Sequence, residues 1–537
     1  MTRKYCIYLS LIVLMVTGFL LGACSNDNAE TGGNEGGTEE EGGVFVFARG
    51  GDSVSLDPSE VTDNESTNVA QSMLENLVAF EEAGTGIEPM LAEEWEESED
   101  GLTYTFQLQE GVKFHDGTDF NAEAVVFNFE RWMNGSGDQF PTYGSVFGGF
   151  IDDESHIIES VEAVDETTVE FNLNTLKPTF LKELALTNFA ISSPAAIELH
   201  GEDYSNNPVG TGPFVFDEWV RNDRVVMSKN EDYRLEGYPK LDQVIIRAIP
   251  DNSARMNALI SGEVDMIDGV DPENAQQIES DENLQLLTRP ALNIGYLGFT
   301  VTREPFDDPL VRQALSHAVN KEAMVEGLFA GMAEPAKNAI PPVVEGYHDE
   351  VETYDYDPEK ARELLAEAGY PDGFEMELWA MPVPRPYMPD ANKVAEYLQS
   401  NFADIGVTAN IVSFEWATYL ERARAGEADT FILGWTGTNG DADDFLYSLW
   451  HENNIGSLNS THYANEEFNQ VLEEARSITD QEKRNELYRE AQEIMHEDPP
   501  IIPLVHPTPI LGAQDYVNGF DPHPTGSLYT TEITLDK

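Results

Sequence analysis

One arginine, Arg385, stands between two prolines in the segment Leu-Trp-Ala-Met-Pro-Val-Pro-Arg-Pro-Tyr-Met-Pro, residues 378–389. Each proline fixes the backbone angle φ, so the prolines limit how far this segment can move. A guanidinium held in one place offers five N–H donors in a planar fork, which suits two-point binding of a carboxylate. We therefore interpret Arg385 as a candidate anchor for an acidic group of a ligand. The alternative is that Arg385 pairs with one of the many acidic residues of the surface.

A second segment with functional potential is Gly-Trp-Thr-Gly-Thr-Asn-Gly-Asp-Ala-Asp-Asp, residues 434–444. Its three aspartates could balance a ligand cation, and Trp435 could provide a flat wall for a ligand side chain. The carboxylates alone indicate no hydrolytic chemistry, because acidic pairs occur throughout this chain. The segment is therefore interpreted as a binding loop.

Both segments follow strand-like runs of the sequence. Apolar residues alternate with acidic ones up to residue 378, and the order strand, helix, strand, helix, strand continues through residues 391–404, 407–414, 416–424 and 430–433. Short connections between such elements predict a parallel sheet covered by helices. Ligands bind beyond the carboxyl ends of the strands in sheets of this kind. We therefore expect the two segments to face one crevice.

The remaining chain contains other strand and helix patterns. An apolar run at residues 44–48 predicts a first strand, and the turn after it, with Gly51 and Asp52, could bring backbone close to a ligand. Asn121 is expected to cap a helix, because its side chain can accept a hydrogen bond from the first turn. Further expectations are a hairpin over residues 214–229, one long helix over 309–329, a helix from Asp357 to Gly369, a helix over 484–496, and an extended C-terminal stretch from 507.

The N-terminal residues 1–23 are typical of an export signal, with two basic residues followed by a short apolar core. The ending Leu-Gly-Ala-Cys resembles a bacterial lipoprotein signal, which implies cleavage before Cys24 and lipid on its sulfur. The alternative is an ordinary signal followed by a chance cysteine. Residues 24–43 contain little that is apolar and predict a flexible acidic tether. Cys6 would leave with the signal, so the mature chain would have no disulfide.

The chain carries 30 basic and 99 acidic side chains, a formal net charge of −69. This charge excludes nucleic acid and anionic membrane surfaces as electrostatic partners. We interpret the excess as adaptation of an exposed surface to salty or alkaline surroundings. The length after residue 43 exceeds what one hydrophobic core supports, so at least two lobes are expected.

Several motifs resemble the peptide/nickel family (family 5) of extracytoplasmic solute-binding proteins of ABC importers, and most closely its dipeptide-binding members. The similarity extends from about residue 44 to the C-terminus. It rests on Leu-Ala-Glu-Glu-Trp-Glu-Glu-Ser-Glu-Asp-Gly-Leu-Thr-Tyr-Thr-Phe at 91–106, Gly-Thr-Gly-Pro-Phe at 210–214, Leu-Asn-Ile-Gly-Tyr-Leu at 292–297, Val-Arg-Gln-Ala-Leu at 311–315, and the Arg385 segment.

The resemblance implies an α/β fold of the periplasmic-binding-protein type (class II, cluster C), with two lobes joined by two hinge strands. The large lobe would comprise residues 44–289 and 508–537, and the small lobe residues 290–507. In dipeptide binders, the position that matches Arg385 holds the C-terminal carboxylate of the peptide.

The family's segment that matches residues 434–444, including Gly437, holds the peptide's ammonium through an aspartate. That aspartate aligns with Thr438 here, and a hydroxyl carries no charge. The loss of one partner of a desolvated charge pair costs about 2–5 kcal/mol. We therefore expect Asp441 to replace the missing aspartate, with Asp443 and Asp444 as alternatives. The remaining alternative is that the ligand is not a free dipeptide. Tyr387, Trp416 and Trp435 are expected to line the ligand site, although aromatic residues at such places are commonly part of the core.

These observations favour a binding protein without catalytic activity that captures dipeptides or short peptides and passes them to the transmembrane subunits of a permease. It would act as a monomer, lipid-anchored outside the cell, with no cofactor. A secreted hydrolase is disfavoured, because the chain lacks a Gly-x-Ser-x-Gly elbow, a His-Glu-x-x-His motif and a phosphate loop. Binding of haem, a nickel chelate or another peptide-like solute is the alternative, although no histidine pair has the spacing of helical metal ligands.

Overall fold

The computed structural model describes residues 42–81, 84–290, 292–383 and 385–537, which all belong to one compact unit. The predicted signal peptide, Cys24 and most of the predicted tether lie outside the described residues. No helix in the described ranges combines the length and the apolar character needed to cross a membrane.

A seven-stranded mixed sheet, here called the first sheet, contains the predicted first strand, Val44–Arg49, near its centre. That strand runs parallel to both of its neighbours, and the other pairings are antiparallel. The C-terminal stretch returns to this sheet through Ile510–Gln514, between two strands that come earlier in the chain. In order across the sheet, the strands are Leu284–Thr288, Ile510–Gln514, Met266–Ile267, Val44–Arg49, Gln243–Ala248, Arg224–Lys229 and Phe214–Val220.

A separate four-stranded antiparallel sheet has a strongly aromatic core. Thr103–Leu108 alternates between partly and fully buried residues, as its period-two pattern predicts. Phe129 of the adjacent helix contacts Phe171 edge to face, with ring centroids 4.8 Å apart. The strands in order are Ala92–Glu97, Thr103–Leu108, Thr168–Leu173 and Ile158–Ala163. Two-stranded pairs are formed by Val78–Phe80 with Ile87–Pro89 and by Val517–Asn518 with Thr534–Leu535.

A six-stranded sheet, here called the second sheet, carries both of the predicted binding segments. Glu375–Trp379 pairs in parallel with Thr408–Val412 on one side and with Thr430–Thr436 on the other, which confirms the predicted parallel arrangement. Asn293–Phe299 pairs antiparallel with both of its neighbours, so the sheet as a whole is mixed. The strand order is Ala333–Pro335, Ile501–Pro507, Asn293–Phe299, Thr430–Thr436, Glu375–Trp379 and Thr408–Val412.

The helices begin mostly at side chains that can cap them, because the first backbone N–H groups of a helix lack partners. Asn121 and Asp357 cap the helices predicted after them. The α-helices are Asn64–Ala70, Ala122–Met133, Pro141–Val146, Phe180–Leu184, Pro194–His200, Asn252–Ile260, Pro272–Glu279, Pro309–His317, Lys321–Leu328, Pro358–Glu367, Ala391–Asp404, Trp416–Arg424, Ala442–Trp450, Glu466–Ala475 and Gln481–Glu497. Short 3-10 helices are Pro58–Glu60, Thr187–Phe189, Gly201–Asn206 and Glu452–Asn454.

The long helix expected over residues 309–329 is two helices, so that expectation is wrong. Asn320 interrupts the helical pattern, and its side chain accepts a hydrogen bond of 3.0 Å from the backbone N–H of Ala323. A side chain that satisfies a new helix start competes with continuation of the preceding helix. The apolar spacing continues across residue 320 and gives no sign of the break. The boundary between the two helices is set by the Asn320 cap.

Replacement of Phe129 by alanine is expected to lower the free energy of unfolding by about 3–5 kcal/mol, because its fully buried ring leaves a cavity in the aromatic core. The matched control is Leu199→Ala, since Leu199 is 78% exposed and its loss should change stability by less than about 0.5 kcal/mol. Scanning calorimetry of both variants measures the difference. Equal melting temperatures would contradict this account of the core.

Candidate functional site

A cavity of about 1450 Å³ is lined by residues from the first sheet, the second sheet and the C-terminal segment. The first sheet contributes Phe47 and Arg49 at the end of its central strand, and the second sheet contributes Trp435 and Thr436. Typical small-molecule pockets have volumes of roughly 300–1,000 Å³. The cavity is therefore large enough for a peptide or a molecule of comparable size.

Arg385 lies in a tight loop that packs directly on the second sheet. The backbone N–H groups of Arg385 and Met388 each donate to the other residue's carbonyl oxygen, at 3.1 and 2.9 Å. Tyr387 rests on Gly434, where a Cβ atom would come within 2.3 Å of its ring, and on Gly295, where a Cβ atom would come within 2.5 Å of its carbonyl oxygen. These two glycines face each other on adjacent strands. The missing side chains therefore allow the loop to lie close to the sheet.

Arg385 lines the cavity, and its guanidinium lies over an aromatic ring. Its Cζ atom lies 4.9 Å from the ring centroid of Trp416, at a distance where a cation–π attraction operates. Burial raises the pKa of Tyr387 to about 12, and the nearby Arg385 opposes this shift. Among the described residues, no carboxylate lies within 4.0 Å of the Arg385 guanidinium. Pairing with a surface acid is therefore not seen there, and the group is available to a ligand.

Asp441 does not face the cavity, because its carboxylate is buried in an ion pair. The two Nη atoms of Arg484 donate to its two oxygens at 3.1 and 3.0 Å, and Lys182 Nζ lies 3.8 Å away. Burial alone would raise the pKa of Asp441, but Arg484 and Lys182 hold it below its ordinary value. Asp441 also caps the following helix by accepting from the N–H of Asp443. The expectation that Asp441 replaces the ammonium anchor is therefore corrected.

Asp444 and Asp443 line the cavity instead. Asp444 accepts hydrogen bonds from the backbone N–H of Thr438 at 2.8 Å and from Trp435 Nε1 at 3.3 Å. Burial raises the pKa of Asp444 to about 7, the hydrogen bond from Thr438 opposes the shift, and the nearby Glu183 adds to it. A ligand ammonium placed here would favour the ionised carboxylate.

Asp443 contacts an arginine but keeps one oxygen without a partner. Its Oδ2 atom lies 3.4 Å from Arg476 Nε, while its Oδ1 atom is buried and accepts no hydrogen bond in the described structure. The guanidinium of Arg476 covers the ring of Tyr447 at 3.8 Å. Burial raises the pKa of Asp443, and Arg476 opposes that shift. The cavity therefore contains two adjacent carboxyl groups whose raised pKa values indicate that nearby cations do not offset their burial.

The other predicted site residues are divided between the cavity and its surroundings. Those that line the cavity are Arg385, Trp435, Gly437 and Thr438. Tyr387 and Trp416 lie behind Arg385 and support it rather than line the space. Gly51 and Asp52 do not line the cavity, and the Asp52 carboxylate accepts hydrogen bonds from Trp219 Nε1 and the backbone N–H of Asn222. Those two expected contacts are therefore corrected for this structure.

Sequence reasoning missed the cationic residues of the first-sheet side, Arg49 and Arg289, and the lining segment 520–528. The sequence indicates these two arginines only by their residue type, because contacts between segments distant in sequence bring them to the cavity. The C-terminal segment also places His523 in the lining, where Nδ1 lies 2.7 Å from Thr525 Oγ1 and Nε2 lies 3.1 Å from the Glu81 carbonyl oxygen. In the part of the chain that the structure describes, no group of three or more His, Cys, Asp or Glu residues is placed to hold a metal ion.

Residues 86–457 match the family described as bacterial extracellular solute-binding proteins, family 5 middle. Heme-binding protein A of Haemophilus influenzae is 36% identical over 537 residues, which covers 96% of this chain and 97% of that protein. The dipeptide-binding protein of Escherichia coli is 37% identical over 508 residues, covering 92% and 95%.

A solved structure extends the comparison to the fold. The periplasmic binding protein DppA of Helicobacter pylori, in complex with the peptide STSA, is 34% identical with a TM-score of 0.73, and the match covers 93% of this chain and 99% of that one. The two-lobed α/β architecture is thus shared with periplasmic binding proteins. The chain belongs to the family 5 bacterial extracellular solute-binding proteins.

Proposed function

We propose that this protein is the substrate-binding lipoprotein of an ABC importer, which captures dipeptides or short peptides and delivers them to a membrane permease. The observation that carries the proposal is that Arg385, Asp443 and Asp444 line the same cavity. Arg385 has no carboxylate within 4.0 Å in the described structure, and nearby cations do not fully balance the two aspartates. A zwitterionic peptide supplies both missing charges.

Arg385 would hold the peptide's carboxylate, and Asp444 would hold its ammonium. The hydrogen bonds from Thr438 and Trp435 orient the Asp444 carboxylate, so the hydroxyl residue at 438 would support the anchor instead of providing it. Trp435, which lines the cavity beside Gly437 and Thr438, could contact a peptide side chain. The relatives are solute-binding proteins, and this supports a role without catalysis.

The N-terminal segment would place the protein outside the cell. Lipid on Cys24 would attach the protein to the outer face of the cell membrane, and the acidic tether 24–43 would separate the binding unit from the bilayer. The lobes that close on the peptide would be residues 44–289 with 508–537, and residues 290–507. The partners would be the transmembrane subunits of the permease, and the binding protein would act as a monomer.

Haem is the second candidate ligand, because the Haemophilus influenzae relative is named a heme-binding protein. Both ring nitrogens of His523 are occupied by hydrogen-bonding partners, so this cavity histidine is poorly placed to ligate iron. Haem would therefore depend on its propionates and on aromatic contacts. A peptide accounts for both Arg385 and Asp444, and we favour it for that reason.

Replacement of Arg385 by glutamine is expected to weaken binding of Ala-Ala by about 2–5 kcal/mol, because the peptide carboxylate loses its charged partner in a desolvated site. Isothermal titration measures the change. The matched control is Arg422→Gln, since Arg422 pairs with Glu427 and stacks on Phe414 outside the cavity lining. Equal affinities of wild type and the Arg385 variant would refute the anchor.

The affinity for Ala-Ala is expected to increase as the pH rises from about 5.5 to 7. Burial raises the pKa of Asp444 to about 7, so protonation below that value removes the charge that would bind the ammonium. Titrations of wild type and Asp444→Asn across this range should show the dependence only in wild type. N-acetyl-Ala-Ala, which has no ammonium, is the control ligand. A pH profile that is unchanged in the variant would assign the dependence to another group.

A further inference from the structure

Arg289 occupies the connection between the two large sheets. It follows Leu284–Thr288, the last strand that the chain contributes to the first sheet before entering the second, and precedes Asn293–Phe299. Its backbone N–H donates to the carbonyl oxygen of Pro509, at 3.3 Å, where the chain crosses back. The residue lines the cavity from this point. Arg289 therefore belongs to one of the two chain segments that connect the first sheet with the second, and it is hydrogen-bonded to the other.

The guanidinium of Arg289 is attracted by Asp268 only at a distance, without a direct ion pair. Its Nε atom is buried and donates no hydrogen bond in the described structure. No carboxylate of the described residues lies within 4.0 Å of it, and the closest ion-pair contact of Asp268 is instead with Arg255. A partly buried cation without a hydrogen-bonded anion is costly, so a ligand anion would stabilise it.

The guanidinium of Arg289 packs closely against the C-terminal segment at Gly526. Gly526 has a φ of +85°, and a Cβ atom there would lie 2.6 Å from Nη1 and 3.1 Å from Nη2. The guanidinium therefore lies against bare backbone, in a place where other residues would be strained and would collide. The same C-terminal segment lines the cavity beside it.

A second arginine belongs to the same wall of the cavity. Arg49 also lines the cavity, and its Nη2 donates to Ser53 Oγ at 2.8 Å, while Nη1 donates to the carbonyl oxygen of Glu65. Its Nε is buried without a partner as well. Asp268 is within electrostatic range of both arginines but forms no ion pair with either within 4.0 Å. Neutral oxygens thus fix Arg49, while Glu65 and three aspartates act on its charge without a direct ion pair.

We propose that Arg289, supported by Arg49, forms a second anion subsite that receives a ligand carboxylate other than the one held by Arg385. The inference rests on the proposed function and narrows its ligand class. The ligand would carry at least two carboxylates, supplied either by an acidic side chain of a peptide or by the second propionate of a porphyrin. Each source offers the planar group that an arginine fork binds.

The peptide arm compares glutamate with glutamine, which have nearly the same shape. Isothermal titration of wild type with Ala-Glu, Ala-Gln, Glu-Ala and Gln-Ala should show a preference for glutamate of about 10-fold or more at one position, the range of a charge-assisted hydrogen bond. Arg289→Gln should reduce that ratio to near one, and Arg289→Lys should retain part of it. Arg303→Gln, which removes an arginine paired with Asp429 outside the cavity lining, should keep the wild-type ratio.

The porphyrin arm compares haem with its dimethyl ester, in which both propionates are blocked, by absorbance titration. A preference for free haem that disappears in Arg289→Gln would support the subsite with a porphyrin as its source. The second subsite is refuted, and the peptide-binding function stands, if Ala-Ala binds but Arg289→Gln keeps the wild-type ratios. These are the ratio of glutamate to glutamine peptides and the ratio of free haem to its ester. If wild type binds neither peptides nor haem, both proposals are refuted. Melting temperatures of all variants show whether they are folded.

Discussion

The buried ion pair between Asp441 and Arg484 is the interaction on which the acidic side of the cleft depends. Two ions removed from water are tolerated only when their geometry and hydrogen bonds compensate for lost hydration. Here the fork of Arg484 meets both oxygens of Asp441, and Lys182 adds a second positive charge at 3.8 Å. Because Asp441 also caps the next helix, the pair fixes the point from which Asp443 and Asp444 project. A structural carboxylate therefore positions those that line the cavity.

On the side of the cavity that holds Arg385, a steric constraint determines the position of the loop. Gly295 and Gly434 face each other on neighbouring strands, and neither leaves room for a Cβ atom beside Tyr387. The loop therefore reaches the sheet only because two adjacent side chains are missing. Its contact with the strands, together with Trp416 beneath the guanidinium, determines where Arg385 enters the cavity. Prolines restrict the backbone of the loop, but the glycines decide its distance from the sheet.

Sequence reasoning succeeded where the physical cause is local. Asp357 was recognisable as a helix cap, and Arg385 as a cleft residue, because capping and the ends of parallel strands depend on neighbouring residues. It failed for Asp441, whose partner Arg484 belongs to a helix 43 residues away. Both the aspartate and the helix were expected, but their pairing requires the packing of the helices. Arg289 was missed for the same reason, since the crossing chain and Gly526 bring it to the cavity.

The net charge of −69 has a consequence for the way in which such a cleft can recognise an anionic group. The surface as a whole repels anions, so long-range attraction does not assist their capture. At physiological ionic strength this repulsion decays over about 8 Å, whereas contacts inside a partly desolvated cavity are screened much less. Arginines whose charge is not neutralised by the abundant acids can therefore dominate locally. Arg385 and Arg289 have no carboxylate within 4.0 Å among the described residues, and in a chain with more than three acids for each base this lack of a close partner agrees with the anion binding that we propose for them.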